Sequence, residues 1–314
     1  MTSPTTRSRW LGYTACAAAG CLWGTGFFFG KLALREMSVA HMVLYRFLFA
    51  CLGTLPMSWI ARREFQSHQR VRWTARDRII LLVSAMLGIP LQFLLQFEGL
   101  AHTTVSHASL MVGTLPVMLA LAATLFTSER MDSISWFALF GSTLGASLIV
   151  LGGRSASNSG GPTLQGDLLV VISLTISVGW ILMNKSLIVS HGPMAVTAYS
   201  ILSGTFMLVV WVFATDGPPP ITGISRTAWI ALACSGVLCT ASTTLLWNWG
   251  IHRVPASRAG VFLNIEPALG SILGVKLLGD HLGPLAWLGG ALILAAAVTI
   301  TVRNHDFDTE VLLE

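Results

Sequence analysis

Charged residues are scarce in this chain of 314 residues. Asp, Glu, Lys and Arg together make up 11% of it, whereas an ordinary soluble domain contains roughly 25%. Hydrophobic residues make up 54%, and the mean hydropathy is +0.70. No polar stretch is long enough to form a soluble domain. The composition therefore excludes a soluble globular protein and predicts an integral membrane protein.

Reactive and metal-ligating groups are also few. The five cysteines are odd in number, match no metal-binding spacing and lie in apolar runs, as small packing residues do. The sequence contains no phosphate-binding loop and no nucleophile with its base. We therefore predict no catalytic residue, no metal site and no cofactor, and we do not expect an enzyme. The formal net charge of +5 reflects membrane orientation, so no nucleic-acid partner is expected.

An internal duplication organises the chain. Residues 257–298 lie over residues 106–147 at a constant offset of 151. The aligned pairs include Pro116 with Pro267, Glu129 with Asp280, and Trp136 with Trp287. Each copy is an apolar run that carries a proline, ends at an acidic residue and restarts near a tryptophan. The chain is therefore predicted to consist of two similar halves.

Ten apolar runs are each long enough to cross a membrane as a helix, which takes about 20 residues. They cover residues 11–34, 39–60, 79–99, 105–127, 134–152, 167–189, 194–215, 228–249, 257–279 and 284–302. The predicted fold class is all-α, integral membrane, with ten transmembrane helices. The predicted organisation is a five-helix repeat at 11–152, a linker at 153–165, a second repeat at 166–302 and a cytoplasmic tail at 303–314.

The distribution of arginines predicts the orientation. With the N-terminus inside, the inner loops hold Arg7, Arg9, Arg62, Arg63, Arg70, Arg72, Arg76, Arg78, Arg130, Arg253 and Arg258, and the outer loops hold Arg35, Arg154 and Arg226. This excess places both termini in the cytoplasm. Because each half has an odd number of helices, the second half enters the membrane inverted relative to the first. An inverted repeat is typical of secondary transporters.

Polar residues recur at helical spacing in five of the predicted spans, so that each of these helices has one polar stripe. The candidates for substrate binding on these stripes are Gln92, Gln96, His107, Trp180, Asn184, Thr244, Asn248 and Asn264. Any one of them could instead form an interhelical hydrogen bond, worth about 0.6 kcal/mol. Taken together, the stripes are better explained by a shared, partly hydrated cavity.

Ionisable groups within a span are costly and are functional candidates by default. Arg46 lies about two helical turns inside the second span, next to Tyr45, and both are predicted to face the substrate. Glu266 and Glu98 are the candidates for proton coupling. Glu266 lies about 200° around its helix from Asn264, which leaves a structural role open. Glu98 is near the outer end of its span, where an interfacial position is the alternative.

The symmetry-related prolines Pro116 and Pro267 predict kinks inside a helix bundle, because a proline breaks a backbone hydrogen bond that neighbouring protein must replace. These prolines either determine only the shape of their helices or form a hinge at the substrate cavity.

Several motifs resemble the EamA family of the drug/metabolite transporter superfamily. They are Trp23-Gly24, Tyr45-Arg46-Phe47, the stretch from Thr104 to Pro116, Asn264-Ile265-Glu266-Pro267, Gly279-Asp280-His281 and Trp287-Leu288-Gly289-Gly290. The resemblance covers nearly the whole chain, and the ninth-helix stretch is its most specific part. It implies a role for Trp23, Arg46, Asn264, Glu266 and Pro267, which fall on recurrent positions of the family. The first half departs from the pattern, because Gly113-Thr114-Leu115-Pro116 lacks the glutamate that Glu266 supplies in the second.

The resemblance implies ten helices in an inverted repeat and the export of small metabolites such as amino acids. We therefore predict a secondary transporter of the inner (plasma) membrane that works by alternating access through a central cavity. Its expected partners are a small-molecule substrate and membrane lipid, and a monomer is expected. The alternatives are a non-transporting membrane sensor or assembly subunit, and a membrane-embedded enzyme that would depend on His107.

Overall fold

The computed structural model describes residues 6–67, 73–126, 133–154, 162–251 and 260–310. Most of the predicted linker, the predicted inner-loop residues Arg70, Arg72, Arg130, Arg253 and Arg258, and the last four residues of the predicted tail lie outside these ranges. Within them the chain is helical, and no β-strand occurs.

Fourteen α-helices are numbered here in chain order among the described residues. They are α1 Thr6–Gly24, α2 Gly26–Ala33, α3 Val39–Ser67, α4 Ala75–Met86, α5 Gln92–Ala101, α6 Val105–Val112, α7 Leu115–Phe126, α8 Ser133–Arg154, α9 Leu164–His191, α10 Pro193–Thr215, α11 Arg226–Ala233, α12 Thr243–Ile251, α13 Ile265–Leu273 and α14 Pro284–Glu310. Wider π-helical turns occur at Leu87–Leu91, Cys234–Ser242 and Gly274–Leu278, and a 3₁₀ turn occurs at Gly260–Asn264.

Five described helices are long and apolar enough to cross a membrane. These spans are Val39–Pro56, Ala75–Ala101, Leu164–Ile188, Met194–Thr215 and Arg226–Trp247. Shorter apolar helices cover Val105–Leu119, Trp136–Gly152 and Pro284–Thr299. The helical, membrane-type fold is thus confirmed, while the count of ten spans and their orientation remain predictions.

Two of the predicted spans are not continuous helices. The first is interrupted at Thr25, between α1 and α2, and the fourth at Gly113 and Thr114, between α6 and α7. Pro116 explains the second break, because it is the second residue of α7 and proline fits the first turn of a helix, where its missing N–H costs nothing.

The chain forms two compact units, and each draws on both halves of the sequence. Unit 1 comprises Met1–Phe28, Gly99–Val171 and Trp249–Glu314. Unit 2 comprises Phe29–Glu98 and Ile172–Asn248.

In unit 1, α8 and α14 cross where two glycines face each other. A Cβ added to Gly145 would press on the carbonyl oxygen of Gly289, and a Cβ on Gly289 would press on that of Gly145. The contacts one turn further are also reciprocal, because Ile293 meets Gly145 and Ile149 meets Gly289, and both isoleucines are fully buried. The last helices of the two sequence halves therefore meet in a nearly two-fold arrangement that depends on the absence of side chains.

In unit 2, α3 lies against the π-helical turns Cys234–Ser242. Gly236 makes this approach possible, because a Cβ there would overlap the carbonyl oxygen of Arg46. The widened turn leaves some backbone carbonyls without the i to i+4 hydrogen bonds of an α-helix. Threonine hydroxyls compensate, since Thr240 Oγ1 donates to the Ser235 carbonyl at 3.1 Å and Thr243 Oγ1 to the Leu238 carbonyl at 2.5 Å.

Unit 2 also contains a carboxylate clasp outside the apolar spans. The Glu36 carboxylate, on the connection between α2 and α3, accepts hydrogen bonds from the Ser225 hydroxyl at 2.6 Å and the Ser225 backbone N–H at 2.7 Å. Ser225 in turn caps the N-terminus of α11. The Ser225 hydroxyl and backbone N–H hold the pKa of Glu36 below its ordinary value, because both stabilise the ionised form.

The α8–α14 crossing predicts a glycine requirement at position 145. Gly145→Ala should lower the thermal unfolding midpoint of the purified protein in detergent, with a loss of about 1–3 kcal/mol, because the added methyl group overpacks a backbone contact. Gly141→Ala is the matched control on the same helix, since a Cβ there meets nothing within 4 Å. Equal midpoints for the two variants would contradict this view of the crossing.

The clasp predicts an acid-sensitive component of stability. Because the native pKa of Glu36 is lowered, the clasp stabilises the fold above the ordinary glutamate range and is lost as the pH falls through the native value. Acidification should therefore lower the unfolding midpoint of the wild type more than that of Glu36→Gln. Asp216→Asn, at another exposed carboxylate of unit 2, should keep the wild-type response. The idea fails if Glu36→Gln retains the full acid response.

Candidate functional site

A buried cation lies in the middle of unit 2. Arg46, on α3, is 5% exposed, and its Nε donates to Thr240 Oγ1 at 3.1 Å. Its guanidinium carbon lies 5.0 Å from the centre of the Phe93 ring and 5.2 Å from that of Phe97. Cation–π contacts of this kind gain strength where water is excluded. The aromatic faces and the threonine hydroxyl therefore hold the charge in a fixed position within an apolar span.

Two buried glutamines extend the polar surface of α5. Gln92 and Gln96 lie one turn apart and are each 8% exposed. The Gln92 amide oxygen Oε1 is buried and accepts no hydrogen bond from the described residues. Gln92 begins α5 directly after the π-helical turn that contains Pro90. An acceptor thus remains available at this end of the helix.

Trp180 and Asn184 lie one turn apart on α9. The Trp180 indole ring packs against Gly88, where an added Cβ would lie 2.6 Å from Nε1. That Nε1 is a buried donor with no hydrogen-bond acceptor in the part of the chain that the structure describes. Asn184 is engaged differently, because its Oδ1 accepts from Ser84 Oγ at 3.0 Å and ties α9 to α4. Of the two residues, Trp180 is the one with a buried polar atom that lacks a hydrogen bond among the described residues.

Tyr45 and Thr244 make local contacts. The Tyr45 hydroxyl donates to the Pro220 carbonyl at 2.8 Å, and its ring meets Trp229 edge-on at 4.8 Å. The Thr244 hydroxyl donates to the Thr240 carbonyl at 2.7 Å. Both hydroxyls are thus occupied by backbone carbonyls.

Glu98 lines a cavity at the edge of unit 2. The cavity holds about 330 Å³, and its walls include Ser38, Val39, Leu94, Glu98, Trp211 and Asp216. Glu98 itself is exposed. This carboxyl is therefore not enclosed in the way that Arg46 is.

In unit 1, α1 lies against the 3₁₀ turn and α13. A Cβ on Gly24, the residue after Trp23, would lie 3.0 Å from the Glu266 carbonyl oxygen. Trp23, Asn264 and Glu266 are all partly buried. Pro267 is buried and lies beside Gly113, at the break between α6 and α7. The proline of one half thus meets the helix break of the other.

His107 belongs to a buried polar group in unit 1. Its Nδ1 lies 3.6 Å from Asp167 Oδ2, and neither side chain is more than 2% exposed. Thr103 Oγ1 donates to Asp167 Oδ1 at 2.6 Å. The sequence analysis identified His107 as a candidate but missed Asp167 and Thr103. The one sequence feature that could have indicated Asp167 is its position as an acidic residue in the first turn of an apolar helix.

The candidate residues are divided between the units. Unit 2 holds Tyr45, Arg46, Gln92, Gln96, Glu98, Trp180, Asn184 and Thr244, and unit 1 holds Trp23, His107, Asn264, Glu266 and Pro267. The side chains of Asn248 and Pro116 lie outside the described part of the structure. Phe93 and Phe97 were missed by sequence reasoning, because two aromatics one turn apart on an apolar helix do not distinguish a cation contact from ordinary packing.

Comparison with known proteins gives a consistent result. A family model described as the EamA-like transporter family matches residues 10–151 and again residues 164–302. Inner membrane protein YtfF of Escherichia coli (strain K12) is 26% identical over 316 aligned residues, which cover 91% of this chain and 92% of that protein. A protein named probable terminal-alkyne amino-acid exporter, from Streptantibioticus cattleyicolor, is 26% identical over 239 residues, 73% of this chain and 75% of that protein.

A solved crystal structure shares the fold. Its TM-score is 0.63, and the match covers 96% of this chain and 99% of the other at 15% identity. At that level of identity, the likeness concerns the fold alone.

The contact between Arg46 and Thr240 predicts a specific stability loss. Thr240→Val should destabilise the purified protein by about 1–3 kcal/mol, because a buried guanidinium N–H loses its acceptor. Thr244→Val is the matched control one turn further along the chain, since its hydroxyl bonds only to a backbone carbonyl. Thermal unfolding in detergent measures both. Equal losses would show that the bond to Arg46 contributes nothing.

Proposed function

The chain belongs to the EamA-like transporter family and is a multi-pass membrane protein, and from that premise we propose that it exports amino acids or related small metabolites. The proposed mechanism is secondary transport by alternating access. Its proposed architecture is ten transmembrane helices in two inverted repeats, 11–152 and 166–302, with both termini in the cytoplasm and the monomer as the working unit. The double match of the family model to this chain supports that architecture.

One observation carries the proposal: unit 2 holds several buried hydrogen-bonding atoms with no hydrogen-bond partner among the described residues. They are Gln92 Oε1, Trp180 Nε1, Ser200 Oγ and Ser235 Oγ. A buried polar atom without a hydrogen bond costs about 1–3 kcal/mol. Water or a polar solute that pairs these atoms during the transport cycle explains why apolar helices keep them.

The chemistry of the available atoms favours an amino acid. An α-ammonium group can donate to the Gln92 amide oxygen, and an α-carboxylate can accept from the Trp180 indole N–H. The fixed charge of Arg46 favours the carboxylate further. The relative named as an amino-acid exporter supports the same substrate class.

The remaining candidates then have proposed roles. We assign Gln96, Asn184, Thr244, Asn248, Trp23, Tyr45 and Asn264 to the lining or support of the solute path. We assign Pro116 and Pro267 to hinges, and the position of Pro267 beside the break at Gly113 supports that role.

Counterflow in proteoliposomes tests the proposal. The purified full chain, reconstituted with a mixture of unlabelled amino acids inside, should take up tritiated amino acids in a saturable manner. Gln92→Leu and Trp180→Phe should each reduce uptake about tenfold, which corresponds to one lost hydrogen bond of about 1.4 kcal/mol.

Ser177→Ala is the control on α9, because the Ser177 hydroxyl donates only to the Leu174 carbonyl of its own helix. Its uptake should match that of the wild type. An absence of exchange by the wild type would refute amino-acid transport. Full activity of both Gln92→Leu and Trp180→Phe would refute the assignment of these atoms.

A further inference from the structure

His107 and Asp167 form a buried acid–base pair to which the solute contacts proposed above give no role. His107 lies in the first turn of α6 and Asp167 in the first turn of α9, and both belong to unit 1. Each is at most 2% exposed. A histidine and a carboxylate this deeply buried are expensive in a membrane protein, so their retention indicates a function.

The two side chains lie slightly beyond hydrogen-bonding distance. His107 Nδ1 lies 3.6 Å from Asp167 Oδ2 and forms no hydrogen bond with any described residue. Hydrogen bonds between nitrogen and oxygen are typically 2.7–3.2 Å long, so a shift of about half an ångström would create one. A proton on Nδ1 would provide the donor, and a charged imidazolium beside the carboxylate would make the buried pair neutral overall.

Asp167 has a second hydrogen-bonding partner besides the histidine. Thr103 Oγ1 donates to Asp167 Oδ1 at 2.6 Å. Its position in the first turn of α9 adds the favourable interaction of an acidic group with a helix N-terminus. Oδ2 therefore remains the oxygen that faces the histidine.

The other titratable groups on the elements around α6 are placed differently. Asp280 accepts hydrogen bonds from the Ser106 backbone N–H at 2.8 Å and the Ser106 hydroxyl at 2.9 Å. His102, Lys276 and His281 are exposed. Glu266 lies in the first turn of α13. The residue next to His107, Ser106, instead contacts Gly274, which lies just beyond the last turn of α13. Among the described residues, Asp167 is thus the carboxylate that lies within 4.0 Å of the His107 ring.

We propose that the His107–Asp167 pair is the proton-binding site that couples this transporter to a pH gradient, a proposal that rests on the transport function proposed above. Histidine gains and loses a proton near neutral pH, as a coupling site requires. The sequence had suggested Glu266 and Glu98 for this role and His107 for the solute.

The pair is also positioned to transmit the binding of a proton. The Thr163 backbone N–H and hydroxyl donate to the His102 carbonyl at 3.0 and 2.8 Å, so the start of α9 is joined to the turn before α6. Further along the chain, α9 carries Trp180, a proposed solute contact. Contraction of the His107–Asp167 contact would therefore act on the helix that carries a solute contact.

The first experiment follows the proton alone. The full chain is purified in detergent with ¹³C at its histidine rings, and the ring signals are recorded between about pH 5 and pH 8. The signal that disappears in His107→Gln should titrate in the wild type. In Asp167→Asn, the pH dependence of this signal should change, because the carboxylate beside the ring is gone. A His107 signal that does not titrate, or that is unchanged in Asp167→Asn, overturns the proposal.

The second experiment separates coupling from transport. Proteoliposomes with tritiated amino acids are assayed for counterflow without a pH gradient and for uptake driven by an imposed gradient. His107→Gln and Asp167→Asn should keep counterflow and lose the stimulation by the gradient, while His281→Gln, at an exposed histidine, should keep both.

The outcomes distinguish the two proposals. Gradient stimulation that persists in both pair variants overturns the coupling site and leaves transport intact. Loss of counterflow in both variants, with folded protein, overturns a role confined to coupling. An absence of counterflow in the wild type refutes amino-acid transport, and the ring titration then decides whether the pair binds a proton.

Discussion

Hydrocarbon offers no hydrogen bonds, so each polar group in a membrane-spanning helix must find its partner within the protein. Much of this structure follows from that constraint. The π-helical turns illustrate it on the backbone, since a widened turn releases carbonyls from the helix ladder. At Cys234–Ser242, the hydroxyls of Thr240 and Thr243 bind such carbonyls. Some of the polar side chains of this segment therefore serve to satisfy its own backbone carbonyls.

Charge is accommodated in two different ways. Arg46 in unit 2 is held by two aromatic rings and a threonine hydroxyl, which fix the position of the cation. His107 and Asp167 in unit 1 form an acid–base pair whose net charge depends on one proton. A fixed positive charge suits the recognition of a carboxylate, and a titratable pair suits coupling to a gradient.

The crossing of α8 and α14 depends on a reciprocal pair of glycines. A Cβ on Gly145 or on Gly289 would press on the carbonyl oxygen of the other glycine, and Ile149 and Ile293 complete the contact one turn further along each helix. Glycine is needed because two helices can approach this closely only where neither has a side chain. Likewise, Gly236 lets the π-helical turns approach the Arg46 carbonyl. The positions of the polar groups thus depend on close helix packing at glycines as well as on the polar residues themselves.

The sequence by itself determined that this chain is helical, apolar and membrane-embedded, that it is duplicated, and that it resembles EamA transporters. These features depend on composition, on periodicity and on residues close together in the chain, so they can be read without a fold. It also identified Arg46, Gln92, Trp180 and His107 as polar residues that an apolar helix would not keep without a reason.

Tertiary structure decided what those residues contact. Asp167 lies 60 positions after His107 in the chain, and Phe93 lies 47 positions after Arg46, so no local pattern could pair them. The same holds for the hydrogen bond between Ser84 and Asn184, which are 100 positions apart in the chain. Such pairings depend on how whole helices pack, and the neighbours of a helix are known only from the three-dimensional structure.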